Sequence, residues 1–442
     1  MTGDPFTSRF NGDLFSTPAM RDLLGDASRV DAMVRVEVAL AEAEAAAGIV
    51  PANAARAIAE AARGFVADLD AIGAGSEEAG VPIPSLVAQL RKAVGGDAAR
   101  WVHWGATSQD IVDTALALLL RDALAVLDGR LATLADRLAV LAREHRDTVM
   151  LARTRLQQAA PTTFGLKVAG WRAPLVDHRA RLAELTPRLL LVQFGGAAGT
   201  LAPLGDKGVA VMAALGAALD LGVPALPWHT RRDALAEFAG WLSLVTGALG
   251  KMGLDIGLMA QSEVGELRES GDPSRGGSST LPQKANPVGS EMLVTLARHN
   301  AGALATMHQA LLHENERSGM GWSLEWLALP GMLMAADAAL AHAQRIADGL
   351  VVDRNRMAAN IEASGGLVLA EAASFALAAH MPRADAQVLV KDAAAEALAS
   401  GRHLVDVLAG HCDAPVDWAA LRRPENWLGV AGVFVDRAIE SD

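Results

Sequence analysis

Residues Ile111–His145 read IVDTALALLLRDALAVLDGRLATLADRLAVLAREH, and this stretch decides the fold. It contains no proline, and Gly129 is its only glycine. Alanine, leucine and charged residues that favour helices dominate it, so it predicts one continuous helix of roughly 50 Å at about 1.5 Å per residue. A helix of that length cannot bury itself in a small domain. We therefore predict a long helical bundle.

Other segments have the same helical periodicity and are the expected partners of this helix. They are Pro161–Leu185, Asp233–Val264, Val288–Leu312 and Leu327–Leu350. Because β-branched and aromatic runs are scarce, we predict an all-α protein with three helical domains. These cover residues 1–107, residues 108–352 with the five long helices, and residues 353–442. Many of the helices carry apolar residues on more than one face, which indicates that they pair with helices of other subunits.

The composition argues against several classes of protein. The formal net charge of −12 is unfavourable for general nucleic-acid binding. Cys412 is the only cysteine, so there is no internal disulfide, and a reducing compartment is expected. The first residues lack the basic and apolar segments of a signal peptide, and charges interrupt the apolar runs. We expect a cytoplasmic enzyme that has no membrane span and does not bind a membrane or nucleic acid.

A polar loop interrupts the helical sequence at Gly276–Glu291, which reads GGSSTLPQKANPVGSE. Long bundles normally join their helices by short turns, so a loop rich in glycine, proline and polar residues favours a function over a linker. Ser278 can exchange a proton with a carbon acid. Lys284, Asn286 and free backbone N–H groups can hold the negative charge that develops. The loop therefore suits proton transfer beside a carboxylate.

A second polar stretch, His103–Asp110 (HWGATSQD), comes just before the longest predicted helix. Thr107 and Ser108 lie where that helix begins, so free N–H groups and the helix dipole could hold a carboxylate there. A purely structural N-cap also explains these two residues. The local sequence leaves both interpretations open.

The third polar stretch is Arg153–Gln158, which reads RTRLQQ. Two arginines that flank Thr154 suit bidentate contacts with a dicarboxylate. Solvated or salt-bridged arginines at a helix junction are the alternative. Arg317 could reach the same pocket, although a structural ion pair is the commoner explanation for such a residue.

The familiar signals of nucleotide and metal sites are missing from the sequence. It has no Walker A loop, no H-E-x-x-H motif and no cluster of cysteine and histidine. The run Gly195–Gly199 lacks a flanking strand–helix unit, which argues against dinucleotide binding. His103, His178 and His229 are scattered, and a structural role is the simpler explanation for each one alone.

The three polar stretches, in this order on a helical chain of this length, resemble the three signature regions of the fumarase/aspartase superfamily. The matching residues are Thr107–Asp110, Arg153–Gly165 and Gly276–Asn286, and the third match is highly specific. The resemblance covers nearly the whole chain. Within the superfamily, Gly12–Pro18 and Trp101–Asp110 look like the branch that lactonises carboxylated muconates.

The resemblance implies a homotetramer with a core of twenty helices, and active sites that each combine the three stretches from three subunits. It implies a small di- or tricarboxylate substrate, with no metal and no organic cofactor. Ser278 takes the position of the proton-exchanging serine, with Lys284 and Asn286 holding the substrate carboxylate or the enediolate. Ser279 and Glu291 are expected to support them. The expected substrate contacts are Thr107, Ser108, Arg153, Thr154, Arg155, Gln157, His103 and Arg317.

Two positions depart from the superfamily pattern. Arg155 stands where many members have a histidine that pairs with a glutamate and helps to protonate a leaving amine or hydroxyl. We expect an Arg155–Glu291 pair in its place. Ala285 follows Lys284, where arginine or valine is common, and so one possible cationic contact is lost. Because arginine is effectively never a proton donor at neutral pH, Arg155 argues against elimination of ammonia, water or an amine.

Lactonisation of 3-carboxymuconate needs no proton donor for a leaving group. A substrate carboxylate adds to a conjugated double bond, and Ser278 delivers one proton to carbon. A carboxylate is a stable anion whose acid has a pKa of about 4, so the reverse step needs no general acid. Three alternatives stay open. They are a lyase that expels another weakly basic anion, such as nitrite from nitrosuccinate, an adenylosuccinate-type lyase, and a non-catalytic helical protein like the lens crystallins that reuse this fold.

Overall fold

The computed structural model describes residues 3–270, 272, 276–277 and 280–440. These residues are predominantly helical, which confirms the all-α prediction. The α-helices are α1 (Gly12–Phe15), α2 (Pro18–Leu24), α3 (Asp26–Ala46), α4 (Ala52–Ala62), α5 (Leu69–Ala79), α6 (Ile83–Val94), α7 (Ser108–Glu144), α8 (Phe164–Leu189), α9 (Gly208–Leu219), α10 (Asp233–Met259), α11 (Val288–Gln309), α12 (Met320–Gly349), α13 (Arg354–Glu362), α14 (Ala370–Ala378), α15 (Arg383–Ser400), α16 (Leu404–His411), α17 (Trp418–Leu421) and α18 (Ala431–Glu440). Short 3₁₀ helices lie at Gly96–Trp101, Ala202–Lys207, Leu367–Leu369 and Pro424–Trp427.

The five long helices predicted from the sequence are present as α7, α8, α10, α11 and α12. They contain 37, 26, 27, 22 and 30 residues, respectively. Helix α12 starts at Met320, earlier than the expected Leu327, and continues through Pro330. A proline inside a helix removes one backbone hydrogen bond. The buried Leu329, Met332 and Leu333 around it supply the packing that holds this helix together.

Two short antiparallel sheets accompany the helices. Strands β1 (Val149–Thr154) and β2 (Gln157–Thr163) form a hairpin, and β3 (Leu267–Arg268) pairs with β4 (Val351–Val352). The prediction that the second long helix starts at Pro161 was wrong, because Pro161 lies in β2 opposite Leu151. Leu151 is fully buried and packs in an apolar cluster with residues of α14, α15 and α16. Such distant contacts cannot be read from local periodicity.

The chain divides into two compact units, which we describe separately. The first unit is Met1–Arg130, His178–Gly247 and Thr295–Ala341, and the second is Leu131–Asp177, Ala248–Val294 and His342–Asp442. Each long helix contributes residues to both units. The core of the first unit draws on α3, α4, α6, α7 and α9, and a core of the second unit on α14, α15 and α16. The division into three domains stays a prediction.

In the part of the chain that the structure describes, three helical segments are long and apolar enough to cross a membrane by length and composition, although none was expected. They are Ala202–Leu219, Asp233–Met259 and Met320–Gly349, and a fourth arises if the bent pair Arg354–Glu362 and Leu367–Ala378 counts as one. In Met320–Gly349, 72% of the most apolar 18-residue stretch is buried within the chain. The side chain of Asp337 in this helix is fully buried, and its Oδ1 lies 2.5 Å from Nε of Arg130. We therefore attribute the apolar character of this helix to packing inside the protein.

Candidate active site

In the first unit, the side chain of Asp110 caps the start of α7. Thr107 lies one residue before the helix, and Ser108 is its first residue. The backbone N–H of Thr107 donates to Oδ2 of Asp110 over 3.0 Å, and the N–H of Asp110 donates to the carbonyl of Thr107 over 3.0 Å. The Asp110 side chain thus makes one half of a capping box, in which the third helical residue reaches back to the N-cap N–H, whereas the Thr107 hydroxyl accepts from Arg317. The predicted helix start at Thr107 and Ser108 is confirmed, whereas their contact with a substrate stays a prediction.

Asp110 also fixes a neighbouring glycine loop. Its fully buried carboxylate accepts from the backbone N–H groups of Gly195 and Gly196 at 3.0 and 2.9 Å. Nε2 of His229 lies 2.7 Å from Oδ1, and the side-chain amide of Gln193 donates over 3.2 Å. A carboxylate with this many donors is fully satisfied. Asp110 is therefore a structural anchor, and His229 has the structural role that its isolated position indicated.

Arg317 lies against this anchor, and its guanidinium contacts only neutral groups. Nη1 donates to the hydroxyl of Thr107 over 2.7 Å, and Nη2 donates to the carbonyl of Gly196 over 2.9 Å. Among the described residues, no carboxylate lies within ion-pair distance of Arg317. A half-buried cation with neutral partners favours an anionic ligand. We call Thr107, Gly196 and Arg317 the Thr107 cluster, and it unites two of the predicted substrate contacts.

A second arginine of the first unit has the opposite surroundings. Arg232 is completely buried, and its guanidinium donates to Asp113 at 2.6 and 3.1 Å and to Glu325 at 2.7 and 2.5 Å. It also lies 4.7 Å from the ring centre of Trp228. Burial raises the pKa of Glu325, against the lowering effect of Arg232. Two carboxylates compensate this cation, so it is not available to a substrate.

His103 lies at the entrance to the turn that leads to Thr107. Its Nδ1 is 2.6 Å from Oε1 of Glu37, which is almost completely buried on α3. His103 has a φ of 64° and Gly105 a φ of 67°. A non-glycine residue in this left-handed region costs roughly 1–2 kcal/mol. The contact of His103 with a substrate stays a prediction.

In the second unit, the stretch Arg153–Gln157 forms the end of the β-hairpin. Thr154 pairs with Gln157, so Arg155 and Leu156 are the two central residues of the turn. Both have positive φ values, 51° and 67°, as in the type I′ turns that normally prefer asparagine and glycine. Both side chains are exposed. The hairpin therefore presents Arg155 at its tip at a conformational cost, which is typical of functional positions.

Arg153, two residues earlier on the same hairpin, is already paired. Its guanidinium donates two hydrogen bonds to the carboxylate of Glu266, at 2.9 and 2.7 Å. Glu266 is fully buried and also accepts from the side-chain amide of Asn360 over 2.8 Å. The structure thus gives Arg153 the ion pair that was the alternative interpretation. Its predicted contact with a substrate would have to compete with Glu266.

Backbone contacts join the two ends of the polar loop in the second unit. The N–H of Asn286 donates to the carbonyl of Gly276 over 2.7 Å, and Gly277 and Ala285 form an isolated antiparallel bridge. Gly276 has a φ of 69°, and a Cβ on it would lie 2.2 Å from the carbonyl oxygen of Asn286. Only glycine fits this approach. The backbone N–H of Lys284 donates to the carbonyl of Leu281 over 3.0 Å. Ser278 and Ser279, the predicted acid–base serine and its neighbour, lie outside the described residues.

Comparison with known proteins assigns the chain to a family. A lyase family profile matches residues 14–302. The chain belongs to the lyase family of the fumarase/aspartase superfamily, and it is an enzyme of that superfamily. A 3-carboxy-cis,cis-muconate cycloisomerase of Bradyrhizobium diazoefficiens is 42% identical to it over 97% of both chains.

Two further lyase-family relatives bear on the function. The crystal structure of the 3-carboxy-cis,cis-muconate lactonizing enzyme from Pseudomonas putida superposes with a TM-score of 0.92, at 44% identity over 97% of both chains. A nitrosuccinate lyase of Streptomyces davaonensis is 38% identical over 94% of this chain and 91% of that protein. Similarity of this extent therefore covers more than one reaction.

Lys284 and Asn286 of this lyase-family chain line a cavity of about 800 Å³ in the second unit. Arg268 at the end of β3 and Arg354 at the start of α13 line the same cavity. Three cationic side chains around one cavity favour an anionic ligand. Neither arginine was predicted from the sequence, because the loop and α13 are distant along the chain.

The first turn of α11, which follows the polar loop, has an anionic cap. The carboxylate of Glu269 accepts from the N–H groups of Gly289 and Ser290 at 3.0 and 2.5 Å. Glu291 also lies in this first turn, where a negative charge is favourable to the helix dipole. Sequence reasoning missed Glu269. The predicted pairing of Glu291 with Arg155 stays a prediction.

The carboxylates that hold site residues and that the sequence did not reveal share one property. Glu37, Glu266 and Glu269 are each distant along the chain from the residue that they hold. Asp110 alone had a local signal, because it follows Thr107 at the spacing of a capping box. Among the residues that the structure describes, no group of three or more histidine, cysteine, aspartate or glutamate side chains could hold a metal ion.

Proposed function

We propose that the chain is a 3-carboxy-cis,cis-muconate cycloisomerase that forms 4-carboxymuconolactone, within the protocatechuate and β-ketoadipate route of aromatic degradation. The observation that carries this proposal is the exposed Arg155 at the strained tip of the hairpin. It occupies the signature position at which many superfamily members have a proton-donating histidine. The similarity to cycloisomerases over almost the full length of the chain supports the same conclusion.

The leaving group decides whether that histidine is needed. An amine or an alkoxide leaves poorly without a proton, and a positioned general acid typically accelerates such a step by about 10²- to 10⁴-fold. Arginine cannot supply this proton at neutral pH. It can bind and orient a carboxylate through two parallel hydrogen bonds. Arg155 therefore suits a reaction in which one carboxylate of the substrate is the nucleophile.

In the proposed reaction, that carboxylate adds to the conjugated double bond and closes the lactone ring. The electrons of the double bond move toward the carbon α to a second carboxylate, which becomes an aci-carboxylate. Lys284, Asn286, Thr107 and Ser108 stabilise this charge through cationic and hydrogen-bonding contacts. Ser278 then delivers one proton to the α-carbon. Ser278 regains its proton from water, so the bonds and charges balance with one solvent proton taken up per lactone formed and without a cofactor.

The active site is proposed to form in a homotetramer, where three subunits each contribute one of the polar stretches. The Thr107 cluster lies in the first unit, and the hairpin tip and the Lys284 loop lie in the second unit. Exposed apolar side chains on the long helices support such pairing, for example Leu244 and Leu254 on α10 and Leu327 on α12. A cytoplasmic location is proposed with the same function.

An absorbance assay with 3-carboxy-cis,cis-muconate tests the proposal. The purified enzyme should remove the absorbance of the conjugated diene, and mass spectrometry should show a product of unchanged mass. Ser278→Ala should abolish turnover without changing the size of the oligomer in gel filtration. A wild-type enzyme that leaves the diene absorbance intact would refute the proposed activity.

The second candidate is a nitrosuccinate lyase, favoured by the relative of that name from Streptomyces davaonensis. Nitrite is also a weakly basic anion that leaves without a proton donor, so Arg155 permits this reaction too. Parallel assays with nitrosuccinate, read as release of nitrite, separate the two candidates. The cycloisomerase proposal expects kcat/KM to be at least about 10²-fold higher with the muconate, a difference of roughly 2.7 kcal/mol in transition-state binding.

A further inference from the structure

Two arginines that have no role in the reaction described so far line the same cavity as Lys284 and Asn286. Arg268 ends strand β3, and Arg354 is the first residue of α13. The volume of the cavity is about 800 Å³, within the range of roughly 300–1,000 Å³ that is usual for ligand pockets. A small polycarboxylate therefore has room to contact Lys284 and both arginines in this cavity.

Hydrogen bonds join the backbone segments that carry these two arginines. Strand β3, which ends at Arg268, pairs with β4, and the N–H of Asp353 donates to the carbonyl of Glu266 over 3.0 Å. Asp353 then caps α13, because its Oδ1 accepts from the N–H of Arg356 over 2.8 Å. Arg268 and Arg354 are thus held on one connected strand-to-helix element in the wall of the cavity.

Two other arginines of the second unit hold the turn between α10 and β3. Arg153 has its ion pair with Glu266. Nε of Arg356 donates to the carbonyl of Val264 over 2.9 Å, and its Nη2 donates to the carbonyl of Glu263 over 2.6 Å. The donors of Arg153 and Arg356 are therefore engaged within the chain, and neither residue lines the cavity.

Arg268 and Arg354 differ from that pair, because both are exposed and have no carboxylate within ion-pair distance in the described ranges of the chain. Nη2 of Arg354 lies 3.4 Å from the carbonyl of Glu144, beyond the usual N–H···O distance of about 2.7–3.2 Å. The described wall of the cavity also contains Lys284 and a single acidic residue, the capping Asp353. Three cations against one carboxylate leave an excess of positive charge that favours an anionic ligand.

We propose that Arg268 and Arg354 are specificity-determining residues, which bind the third carboxylate of a tricarboxylate substrate. The inference rests on the proposed function, in which Arg155 orients the attacking carboxylate and Lys284 and Asn286 hold the carboxylate beside the protonated carbon. The third carboxylate takes no part in ring closure and still needs a cationic partner. Arginine suits this contact, because its planar guanidinium binds a carboxylate through two parallel hydrogen bonds.

Isothermal titration calorimetry with two unreactive ligands tests this assignment. Propane-1,2,3-tricarboxylate and glutarate differ by one carboxylate, on the middle carbon of the chain. Wild type should bind the tricarboxylate at least about tenfold more tightly than glutarate, because only the tricarboxylate offers a group to the two arginines. Arg268→Leu and Arg354→Leu should each lower this ratio below about threefold, with Kd for glutarate changed by less than about twofold. A ratio that stays at the wild-type value in either variant would overturn the inference.

Two further variants separate a direct contact from the net charge of the chain. Arg354→Lys keeps a cation in the cavity without the planar guanidinium, and it should retain a ratio of about fivefold. Arg143→Leu removes the same charge from an exposed position on α7 that does not line the cavity, and it should leave the ratio unchanged. Circular dichroism and gel filtration check the fold and the size of the oligomer. If Arg143→Leu lowers the ratio as much as Arg354→Leu, net charge explains the preference and the assignment is wrong.

Steady-state kinetics keep this inference distinct from the proposed activity. Arg354→Leu should raise KM for 3-carboxymuconate about tenfold, with kcat within about threefold, because the contact is made equally in the ground state and the transition state. A wild-type enzyme that prefers the tricarboxylate ligand but does not consume the muconate would refute the activity and support the carboxylate site. An active wild-type enzyme that binds the two ligands equally would refute the carboxylate site alone.

Discussion

Arg232 and Arg317 are both arginines of the first unit, and their surroundings give them opposite roles. Arg232 is buried between Asp113 and Glu325, so its charge is fully compensated within the chain. Among the described residues, Arg317 donates only to the Thr107 hydroxyl and the Gly196 carbonyl, so no carboxylate compensates its charge there. The difference shows that the partners of a cation, more than its presence, decide whether its charge is compensated within the chain.

The hairpin of the second unit repeats this contrast over two residues. Arg153 forms two hydrogen bonds with the buried Glu266, whereas Arg155 is exposed at the turn. The sequence RTR alone cannot distinguish them, because only the tertiary structure shows that Arg153 lies in β1 beside Glu266 and that Arg155 lies in the turn. In both units, the compensated arginine is expected to affect stability and the uncompensated one activity.

The largest expected effect is on stability at the buried arginine. Arg232→Leu leaves Asp113 and Glu325 buried without a cation, which should cost about 3–5 kcal/mol in the free energy of unfolding. Urea denaturation at a fixed protein concentration measures this loss. Arg317→Leu is the matched control, with an expected cost of about 1 kcal/mol for its two neutral hydrogen bonds. Equal losses of stability in the two variants would contradict the conclusion that buried carboxylates depend on Arg232 and not on Arg317.

The next effect is on activity at the uncompensated arginine. Arg317→Leu should lower kcat/KM about 100-fold, equivalent to about 2.7 kcal/mol, because a charged contact with a substrate carboxylate is lost. Steady-state kinetics with 3-carboxymuconate measures the change, and circular dichroism checks that the fold is retained. A variant with kcat/KM within twofold of wild type would show that Arg317 only braces the Gly196 loop.

Glu44 extends the comparison to a fully buried carboxyl group whose oxygens have no hydrogen-bond partner among the described residues. Its pKa in the folded chain is about 8, above the ordinary value of 4.5. The folded state therefore holds a proton that the unfolded state releases, and stability falls as pH rises from about 4.5 to about 8, by up to roughly 1.4 kcal/mol per pH unit.

Glu44→Gln should remove the loss of stability that accompanies the rise in pH. The variant should resemble wild type near pH 4.5 and be more stable by up to about 4 kcal/mol at pH 7.5. Thermal unfolding at several pH values measures the difference, with Glu37→Gln as the control that disturbs the contact with His103. A stability difference that does not change with pH would mean that Glu44 is charged in the folded chain.

The smallest expected effect concerns the two arginines of the hairpin. Arg153→Leu should lower the free energy of unfolding by about 1–2 kcal/mol, because the buried Glu266 keeps only the amide of Asn360 as a partner. Arg155→Leu should change it by less than about 0.5 kcal/mol, since its side chain is exposed. Chemical denaturation of both variants provides the test. A larger loss for Arg155→Leu would mean that the hairpin tip supports the assembly.

Most of the helical architecture could be predicted from the sequence. The run after Thr107 has no proline and a continuous helical pattern, and it forms the 37-residue helix α7. The hairpin at Val149–Thr163 could not be predicted in this way, because its strands are short and its apolar residues pack against α14, α15 and α16. Pro161 was compatible with a helix start and proved to be a strand residue opposite Leu151.

The candidate site was predictable to a smaller extent. Thr107, Lys284, Asn286 and Arg155 could be named because they stand in recognisable stretches of sequence. The carboxylates that orient the site could not be named, because a partner such as Glu37 is 66 positions away from His103 and has no local signature. The sequence also could not separate Arg153 from Arg155.

By itself, the sequence determined the helical class, the five long helices and the position of the polar stretches, because helical periodicity and loop chemistry are local properties of the chain. The tertiary structure alone decided which charges are compensated. Among the described residues, Arg153 and Arg232 have carboxylate partners, whereas Arg155 and Arg317 have none. The physical reason is that the energy of a charge depends on its burial and on partners brought from distant positions, and neither is written in the residues beside it.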